Sequence, residues 1–341
     1  MKKLLNTLYI TNELCYLSKV GENIVIKIDD KEVKRLPIHI LEGIICFNYN
    51  GVSPGVIKLC NENNVQLALM DPFGKLCGRF IGVSKGNVLL RREQYRIADD
   101  ERSLSVAKNM ILAKLTNSRR VLLRLIRDHK EKVNDVYINE VCESIKMQME
   151  RISEITDKDS LRGVEGEVAR KYFSCFEAMI LQQKEDFYFT NRNKRPPTDN
   201  VNALLSYMYS ILSYDMLSAL EAVGLDSYVG VFHTDRPGRA SLALDMIEEL
   251  RAYMVDRFVL SLINKRQIFN KHFEKKENGA ILLNKEGKNI IFTQWQERKQ
   301  QEIMHPFIKE NCPIGLIPHI QAQLLARYIR GDLETYPPFF M

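Results

Sequence analysis

Short apolar runs separated by turn residues fill the first 86 positions of the chain, a pattern typical of β-strands. Ile24–Ile28 and Val33–Leu36 suit the two strands of a hairpin, because both are rich in β-branched residues or flanked by turn signals. Ser53 and Pro54 suit the N-cap and first turn of one helix that runs to Asn63. Further strands are predicted over 43–47, 65–70 and 76–81, with a turn at 71–74. The pattern predicts a small β-rich N-terminal domain over residues 1–86.

After Gly86 the spacing of apolar residues changes from two to about 3.6, the period of an α-helix. Helices are predicted over 103–129, 136–155, 161–182, 200–223 and 242–263. One exception is expected: Ala280–Leu283 and Ile290–Phe292 suit a small hairpin around Asn284-Lys285-Glu286-Gly287. The predicted fold class is α+β, with a larger all-α domain over residues 87–341 after the β-rich one.

Composition narrows the class of protein. The chain has 341 residues, 45% apolar and 27% charged, with 17 glycines and 11 prolines, which excludes a disordered or fibrous chain. Its seven cysteines include no Cys-x-x-Cys pair, so they predict neither a zinc motif nor a redox motif but buried thiols in a reducing compartment. The longest charge-free helical stretch, residues 200–214, is shorter than the roughly 20 residues of a membrane span. We therefore expect a soluble, cytoplasmic protein with no membrane partner.

Positive charge is concentrated in the helical part of the chain. The segment Glu101–Lys132 holds nine basic residues against three acidic ones, whereas the whole chain has a net charge of +6. Two smaller basic clusters lie at 192–195 and 265–276. A single cluster is most simply a solvated helix face, but three clusters in one domain make nucleic-acid binding an equal alternative.

Two segments place a candidate ligand next to glycine. Gly163 and Gly166 flank Glu165 within a predicted helix, where glycine is unfavourable unless something must approach the backbone closely. His233 follows Gly230 at the entrance to a polar loop. The ordinary alternatives are a helix–helix contact beside a surface Glu165 and a buried structural histidine.

A third segment, Ser241–Arg251, places Asp245 and Glu248 three residues apart on one face of a predicted helix. Buried among apolar neighbours, these two carboxylates would require a cation. Glu249 is equally suited to be a solvent-facing partner of Arg251 and Arg257. Together with Glu165 and His233, the acidic pair offers the oxygen and imidazole ligands of Mg²⁺ or Mn²⁺. A metal site next to basic helices indicates phosphoryl-transfer chemistry on nucleic acid.

These motifs, in this order, resemble the CRISPR-associated spacer-acquisition endonuclease/integrase family, the first of the numbered CRISPR-associated proteins. The motif sequences resemble most those of the members that accompany type I-C systems. The resemblance covers nearly the whole chain and rests on the following segments: Asn87–Gln94, Gly163–Gly166 with Tyr172-Phe173, Arg195–Tyr207, His233, Arg239–Glu249 and Tyr336–Phe339.

The resemblance implies a β-sandwich-like N-terminal domain that dimerises and a helical catalytic domain. It implies that Glu165, His233 and Glu248 are the catalytic metal ligands, for Mg²⁺ or Mn²⁺, and that Asp245 supports a ligand from behind. Many family members carry aspartate where this chain has Glu248. The residues then expected to bind nucleic acid, mostly through its phosphates, are Lys108, Lys114, Arg119, Arg120, Arg195 and Arg239.

The activity implied by the resemblance is DNA integration during CRISPR adaptation. The 3′-hydroxyl ends of captured double-stranded DNA would be joined to the repeat of a CRISPR array by transesterification, and water in place of the hydroxyl would give endonuclease activity. The implied partners are a second copy of the chain, the second CRISPR-associated adaptation protein, which bridges two dimers, and an additional processing nuclease. Two alternatives remain: a plain metal-dependent nuclease, and a catalytically silent nucleic-acid-binding scaffold.

Overall fold

The computed structural model describes residues 6–12, 14–47, 51–71, 76–80 and 87–341. The predicted turn at 71–74, apart from Asp71, and the end of the strand predicted to reach Ile81 lie outside these residues. The described chain forms two compact units. The first contains the residues before Asn87 together with Leu283–Glu302 and Pro313–Leu316, and the second contains the rest. The domain limits 1–86 and 87–341 stay predictions, and the compact units differ from them by placing Leu283–Glu302 and Pro313–Leu316 in the first unit.

The first unit is built on two small sheets. One has the order β1-β5-β6-β7 and the other the order β2-β3-β4. The strands are β1 (Thr7–Ile10), β2 (Cys15–Val20), β3 (Asn23–Ile28), β4 (Lys31–Pro37), β5 (Gly43–Cys46), β6 (Gln66–Met70) and β7 (Leu76–Phe80), and a helix, α1 (Pro54–Glu62), separates β5 from β6. Residues of both sheets, such as Leu17, Ile24, Ile44 and Leu67, belong to one buried apolar cluster. The strand-rich N-terminal part is therefore confirmed.

The position of α1 follows from the chain connection. β5 and β6 are parallel neighbours, so the chain must cross from the end of one to the start of the other, and a helix is the usual crossover. The predicted N-cap is confirmed: the Ser53 side chain accepts a hydrogen bond from the Val56 N–H at 3.3 Å, and Pro54 begins the helix. Val56, Leu59 and Cys60 turn inward and are buried.

The hairpin predicted around 284–287 is wrong in its second half. Ile290–Phe292 lies within a helix, α10 (Lys285–Gln300), whose N-cap Asn284 accepts from the Gly287 N–H. Three adjacent apolar residues imitate a strand, but the buried positions Ile291, Phe292 and Trp295 follow helical spacing. The Phe292 ring stacks on Tyr9 at a centroid distance of 4.0 Å, so α10 packs within the first unit.

The second unit is mostly helical, which confirms the α+β class. Its helices are α2 (Val88–Asp99), α3 (Arg102–His129), α4 (Asp135–Arg151), α5 (Lys158–Ser174), α6 (Phe176–Met179), α7 (Asn200–Ala222), α8 (Ser241–Glu248), α9 (Arg257–Asn264) and α11 (Ile317–Ile329). Short strands β8 (Phe273–Lys275), β9 (Ile281–Leu283), β10 (Glu302–Met304) and β11 (Asn311–Pro313) pair as β8-β9 and β10-β11.

Helix α7 is the central helix of this unit, because it is buried along nearly its whole length. Asp199 caps it by accepting from the Asn202 N–H at 2.7 Å. A helix that is apolar on every side must be surrounded by other elements, and α8 and α11 both pack on α7. These contacts fix α8 in place, and α8 carries two of the predicted site residues.

The helix predicted over 242–263 is interrupted. After α8 the chain forms a π-helical turn, Arg251–Asp256, before α9 begins. Such a turn holds one residue more than an α-helical turn, so it changes the direction in which the following side chains point. The apolar pattern on both sides is helical, so the pattern alone does not predict the interruption.

Within the described part of the chain, no helix is both long enough and apolar enough to cross a membrane. Six of the seven cysteines are buried, and Cys77 is exposed.

Candidate active site

Two of the predicted ligands, Glu165 and Glu248, meet at a lysine. Glu165 lies in the middle of α5 and Glu248 is the last residue of α8. Lys114, from α3, forms ion pairs with both: its Nζ contacts Glu165 Oε1 and lies 2.7 Å from Glu248 Oε2. Helix α3 packs against both α5 and α8, which brings together residues separated by 51 and 134 positions. The two carboxylates therefore converge on one cation.

Arg251 holds the other oxygen of Glu248. Its Nη2 lies 3.0 Å from Glu248 Oε1, three residues earlier in the chain. Glu248 is only 3% exposed, so its charge is neutralised by neighbouring groups rather than by water. Burial alone raises the pKa of Glu248, but Arg251 and Lys114 outweigh it and lower that pKa to about 2. Glu248 is therefore ionised at neutral pH.

His233 is fixed by Asp245. The His233 Nδ1 lies 2.5 Å from Asp245 Oδ1, and Asp245 also accepts from the backbone N–H groups of Val231, Phe232 and His233 at 2.8–3.0 Å. These contacts occupy both oxygens of the buried Asp245. They orient the imidazole and leave Nε2 for another ligand, as in metal sites where a carboxylate supports a histidine. The contacts suit the supporting role predicted for Asp245.

Gly230 makes this arrangement possible, and its replacement is a test. A Cβ at position 230 would lie 2.7 Å from Ser241 Cβ and 2.9 Å from Asp245 Oδ2, both in a buried setting. We expect Gly230→Ala to displace Asp245 from the His233 loop and to lower activity by roughly 10–100-fold, the usual cost of losing a ligand's supporting contact. A metal titration of DNA cleavage measures the effect. Gly78→Ala is the control, because its Cβ would meet open space, and an equal loss in both variants would contradict the explanation.

The side chains of Glu165, Glu248 and His233 are of the types that bind a divalent cation, although the structure does not arrange them around a common point. Among the described residues, no three His, Cys, Asp or Glu side chains are close enough together to hold a metal ion. The Lys114 ammonium lies between Glu165 and Glu248, where its charge takes the place of a metal ion. Two carboxylates that already bind one cation, beside a histidine with a free nitrogen, have the chemistry of an Mg²⁺ or Mn²⁺ site.

The flanking glycines of Glu165 face open space. Outside the backbone of their own helix, neither Gly163 nor Gly166 has an atom within 4 Å of the place where a Cβ would lie, so a methyl group there would meet open space. Helix α5 packs against α3 and α4, but no atom of either helix lies that close to these two Cβ positions. Gly163 instead lines a groove together with Arg151, Ser160, Glu167 and others.

The six predicted nucleic-acid-binding residues have different settings, and their role stays a prediction. Three are engaged within the chain: Lys114 as described, Lys108 with the Ser153 carbonyl, and Arg119 with the Cys142 carbonyl and Glu143. Arg120 and Arg195 are exposed, and Arg239 is half-buried at the end of the exposed loop before α8.

The structure corrects the interpretation of Glu249, which is fully buried rather than solvent-facing. It accepts hydrogen bonds from the Tyr336 hydroxyl, the Gln321 amide and the Phe339 N–H at 2.7–3.1 Å. Asn117 of α3 donates to the Glu249 and Phe339 carbonyls, both at 2.8 Å. Burial raises the pKa of Glu249 to about 7, although the hydrogen bonds from Tyr336, Gln321 and Phe339 lower it. The segment Tyr336–Phe339 is thereby tied to the residue that follows Glu248.

Another buried carboxyl, that of Asp256, belongs to a residue that the sequence pattern does not single out. The hydroxyls of Tyr172 and Tyr209 donate to it at 3.0 and 2.5 Å. Burial raises its pKa to about 6, although the tyrosines lower it. The guanidinium groups of Arg192 and Arg251 both lie over the Tyr209 ring, 5.5 and 5.0 Å from its centroid.

Comparison with known proteins finds a matching family and full-length relatives. The family model described as CRISPR associated protein Cas1 matches residues 8–297. The CRISPR-associated endonuclease Cas1 1 of Chlorobaculum tepidum is 45% identical over 340 residues, which is 99% of each chain. A CRISPR-associated exonuclease Cas4/endonuclease Cas1 fusion of Geobacter sulfurreducens is 31% identical over 97% of this chain and 60% of the fusion.

Two solved structures have a similar fold. A casposase bound to integration product has a TM-score of 0.85 and 25% identity over 98% of this chain and 94% of that one. A chain of a Cas6-RT-Cas1–Cas2 complex has a TM-score of 0.81 and 23% identity over 98% of this chain and 36% of that one. The endonuclease relatives and the casposase support a CRISPR-associated nuclease or integrase role. With a family model that matches most of its length and a full-length relative at 45% identity, the chain belongs to the Cas1 family of CRISPR-associated proteins.

Proposed function

We propose that the chain is a metal-dependent DNA endonuclease/integrase of CRISPR adaptation. It joins the 3′-hydroxyl ends of captured DNA fragments to the repeat of a CRISPR array by transesterification. One observation carries the proposal: Glu165 and Glu248 converge on a single cation in the same helical unit in which Asp245 fixes His233. The likeness to a casposase bound to integration product adds support for joining as well as cleavage.

Glu165, His233 and Glu248 would hold the metal, Mg²⁺ or Mn²⁺. When bound, it would neutralise charge on the phosphoryl oxygens and lower the pKa of a nearby hydroxyl. Lys114 now neutralises Glu165 and Glu248 together. Arg251 orients Glu248, since it binds the other carboxylate oxygen.

The reaction conserves the number of phosphodiester bonds. The 3′-oxygen of the donor DNA forms a new P–O bond, the P–O bond to the 3′-oxygen of the target strand breaks, and the proton of the attacking hydroxyl ends on the departing oxygen. The residues of this chain orient the reacting groups: Asp245 fixes the ring of His233, and the flanking glycines leave the backbone beside Glu165 open to a DNA strand. Water in place of the 3′-hydroxyl gives hydrolysis.

The same proposal includes the partners. Exposed basic residues such as Arg120 and Arg195 hold double-stranded DNA by its phosphates, largely without sequence readout. The chain acts as a homodimer through its β-rich N-terminal domain, and a second adaptation protein bridges two dimers. The solved Cas6-RT-Cas1–Cas2 complex, in which Cas1 occurs together with Cas2, supports this second partner. The Cas4/Cas1 fusion supports an additional processing nuclease.

A joining assay tests the proposal. The protein and its candidate partner are mixed with labelled short duplexes, a supercoiled plasmid that carries the repeat, and Mn²⁺. We expect a covalent product that links duplex to plasmid and is lost when the duplex ends in a 3′-dideoxynucleotide. Cleavage that is indifferent to the 3′ end, with no joined product, would identify a plain nuclease. DNA binding without cleavage or joining would identify a silent scaffold.

A further inference from the structure

A second cleft lies beside Lys114, within the same helical unit. Its lining includes Lys114, Arg192, Lys194, Tyr209, Arg251 and Asp256. Four of these six side chains are cationic. Lys114 and Arg251 already have carboxylate partners in Glu165 and Glu248. The charges of Arg192 and Lys194 remain to be explained.

Arg192 is held in place by neutral groups. Its Nη1 donates to Asn202 Oδ1 at 2.7 Å and its Nη2 to the Ser206 hydroxyl at 2.9 Å, both from the first two turns of α7. Its Nε is buried and has no hydrogen-bond partner among the described residues. The Nε of Arg251 is in the same condition. A buried donor without a partner is costly, so its presence on two guanidinium groups of one cleft points to a missing acceptor.

Tyr209 keeps the two arginines close together. Both guanidinium groups lie over its ring, and its hydroxyl is fixed by Asp256. Burial lowers the pKa of Arg192, and the positive charge of Arg251 lowers it further. The pKa of Lys194 is also lowered, by burial first and then by Arg251 and Arg192. The like charges repel one another, and Asp256, the one carboxyl in the cleft lining, accepts hydrogen bonds from two tyrosine hydroxyls.

We propose that the cleft formed by Arg192, Lys194, Arg251 and Tyr209 binds a backbone phosphate of the DNA strand, next to the phosphate that reacts at Glu165 and Glu248. The inference rests on the proposed function, since it assigns to that site a second contact with its DNA substrate. Guanidinium groups match phosphate oxygens with directed N–H donors, and a lysine at the mouth adds a point charge. A phosphate in the cleft would bring an acceptor and a negative charge among these cationic groups, and it would relieve their repulsion.

Binding measured without chemistry tests the subsite. A labelled duplex is titrated with the full-length protein in EDTA at several salt concentrations, for the wild type, Arg192→Gln and Lys194→Gln. Each lost phosphate contact should reduce the slope of log affinity against log salt by roughly 0.9. Lys34→Gln is the matched control, because Lys34 is an exposed lysine in β4 of the other unit and its slope should stay unchanged.

A methylphosphonate scan then locates the phosphate. Duplexes in which one phosphate at a time is uncharged are bound to wild type and to Arg192→Gln. We expect one position at which the neutral linkage weakens the wild type but not the variant. Arg192→Lys, which keeps the charge, should retain most of the salt slope, and circular dichroism of each variant checks the fold. Competition by inorganic phosphate at constant ionic strength should be weak.

Three results would overturn the proposal: unchanged salt slopes in both glutamine variants with intact folds, no methylphosphonate position coupled to Arg192, or displacement of DNA by millimolar inorganic phosphate, which would assign the cleft to free phosphate. Because the assays contain no metal, they are independent of the joining reaction. A protein that shows the coupling but never joins DNA would refute the proposed integration while keeping the subsite.

Discussion

Replacing Glu165 by glutamine is expected to abolish DNA cleavage and joining while leaving DNA affinity almost unchanged. The substitution keeps the size of the side chain but removes one of the two charges that converge on Lys114. Without it, a divalent cation loses a ligand. We expect the rate to fall by at least about 10²–10³-fold, the cost of removing one group that stabilises transition-state charge. Single-turnover cleavage and joining, measured beside binding isotherms on the same preparation, give the result.

Glu167→Gln is the matched control for this prediction. Glu167 lies two residues further along α5 and pairs with Lys171 at 2.6 Å, on a part-exposed face. An exposed ion pair of this kind contributes at most about 1 kcal/mol, so activity should stay near that of the wild type. If Glu165→Gln cleaves and joins DNA at the wild-type rate, Glu165 is not a catalytic ligand. Equal losses of binding and activity would instead indicate a folding defect.

The second large effect is on stability. Glu249→Ala is expected to lower the free energy of unfolding by about 4 kcal/mol, because three buried donors lose their acceptor at roughly 1–3 kcal/mol each. The donors are the Tyr336 hydroxyl, the Gln321 amide and the Phe339 N–H. The loss should detach the segment Tyr336–Phe339 and disturb Glu248 beside it. Urea unfolding, followed by circular dichroism, measures the change, because the unit that contains Glu249 is mostly helical.

Tyr336→Phe measures the contribution of one of these three donors on its own. It removes one hydroxyl and leaves Glu249 with Gln321 and the Phe339 N–H, so the expected loss is about 1 kcal/mol. The ratio of the two effects is the test: a loss in Glu249→Ala no larger than that in Tyr336→Phe would mean that Glu249 does not organise the segment.

Local signals in the sequence predict the elements that local interactions decide. Ser53 is identifiable as an N-cap from its place before Pro54, and the structure has that hydrogen bond. The sequence pattern misassigns α10 at Ile290–Phe292, since three adjacent apolar residues satisfy a strand and a helix equally. The capping Asn284 is the better evidence, but the Asn-Lys-Glu-Gly sequence also suits a turn. The π-helical turn has no local signal at all.

The sequence predicts the residues of the site but not its electrostatics. It indicates Glu165, His233, Asp245 and Glu248 as acidic or imidazole groups near glycines or on one helix face. It does not indicate that Lys114 reaches two of them, since that contact depends on how α3 packs against α5 and α8. The sequence pattern therefore groups Lys114 with the other basic residues of α3 and predicts that they share one positively charged surface. The interpretation of Glu249 is wrong for a related reason: its partners lie 72–90 residues further along the chain.

The π-helical turn Arg251–Asp256 means that related proteins with the same contacts must keep the same number of residues in this segment. At 3.6 residues per turn, deleting one residue there would restore a regular helix and rotate everything after it by about 100° relative to α8. Arg251 would stay beside Glu248, but Asp256 would turn away from Tyr172 and Tyr209, which hold it now. A one-residue gap at this point in an alignment would thus mark a lineage in which the tyrosine pair has been rebuilt or lost, however well the flanking residues match.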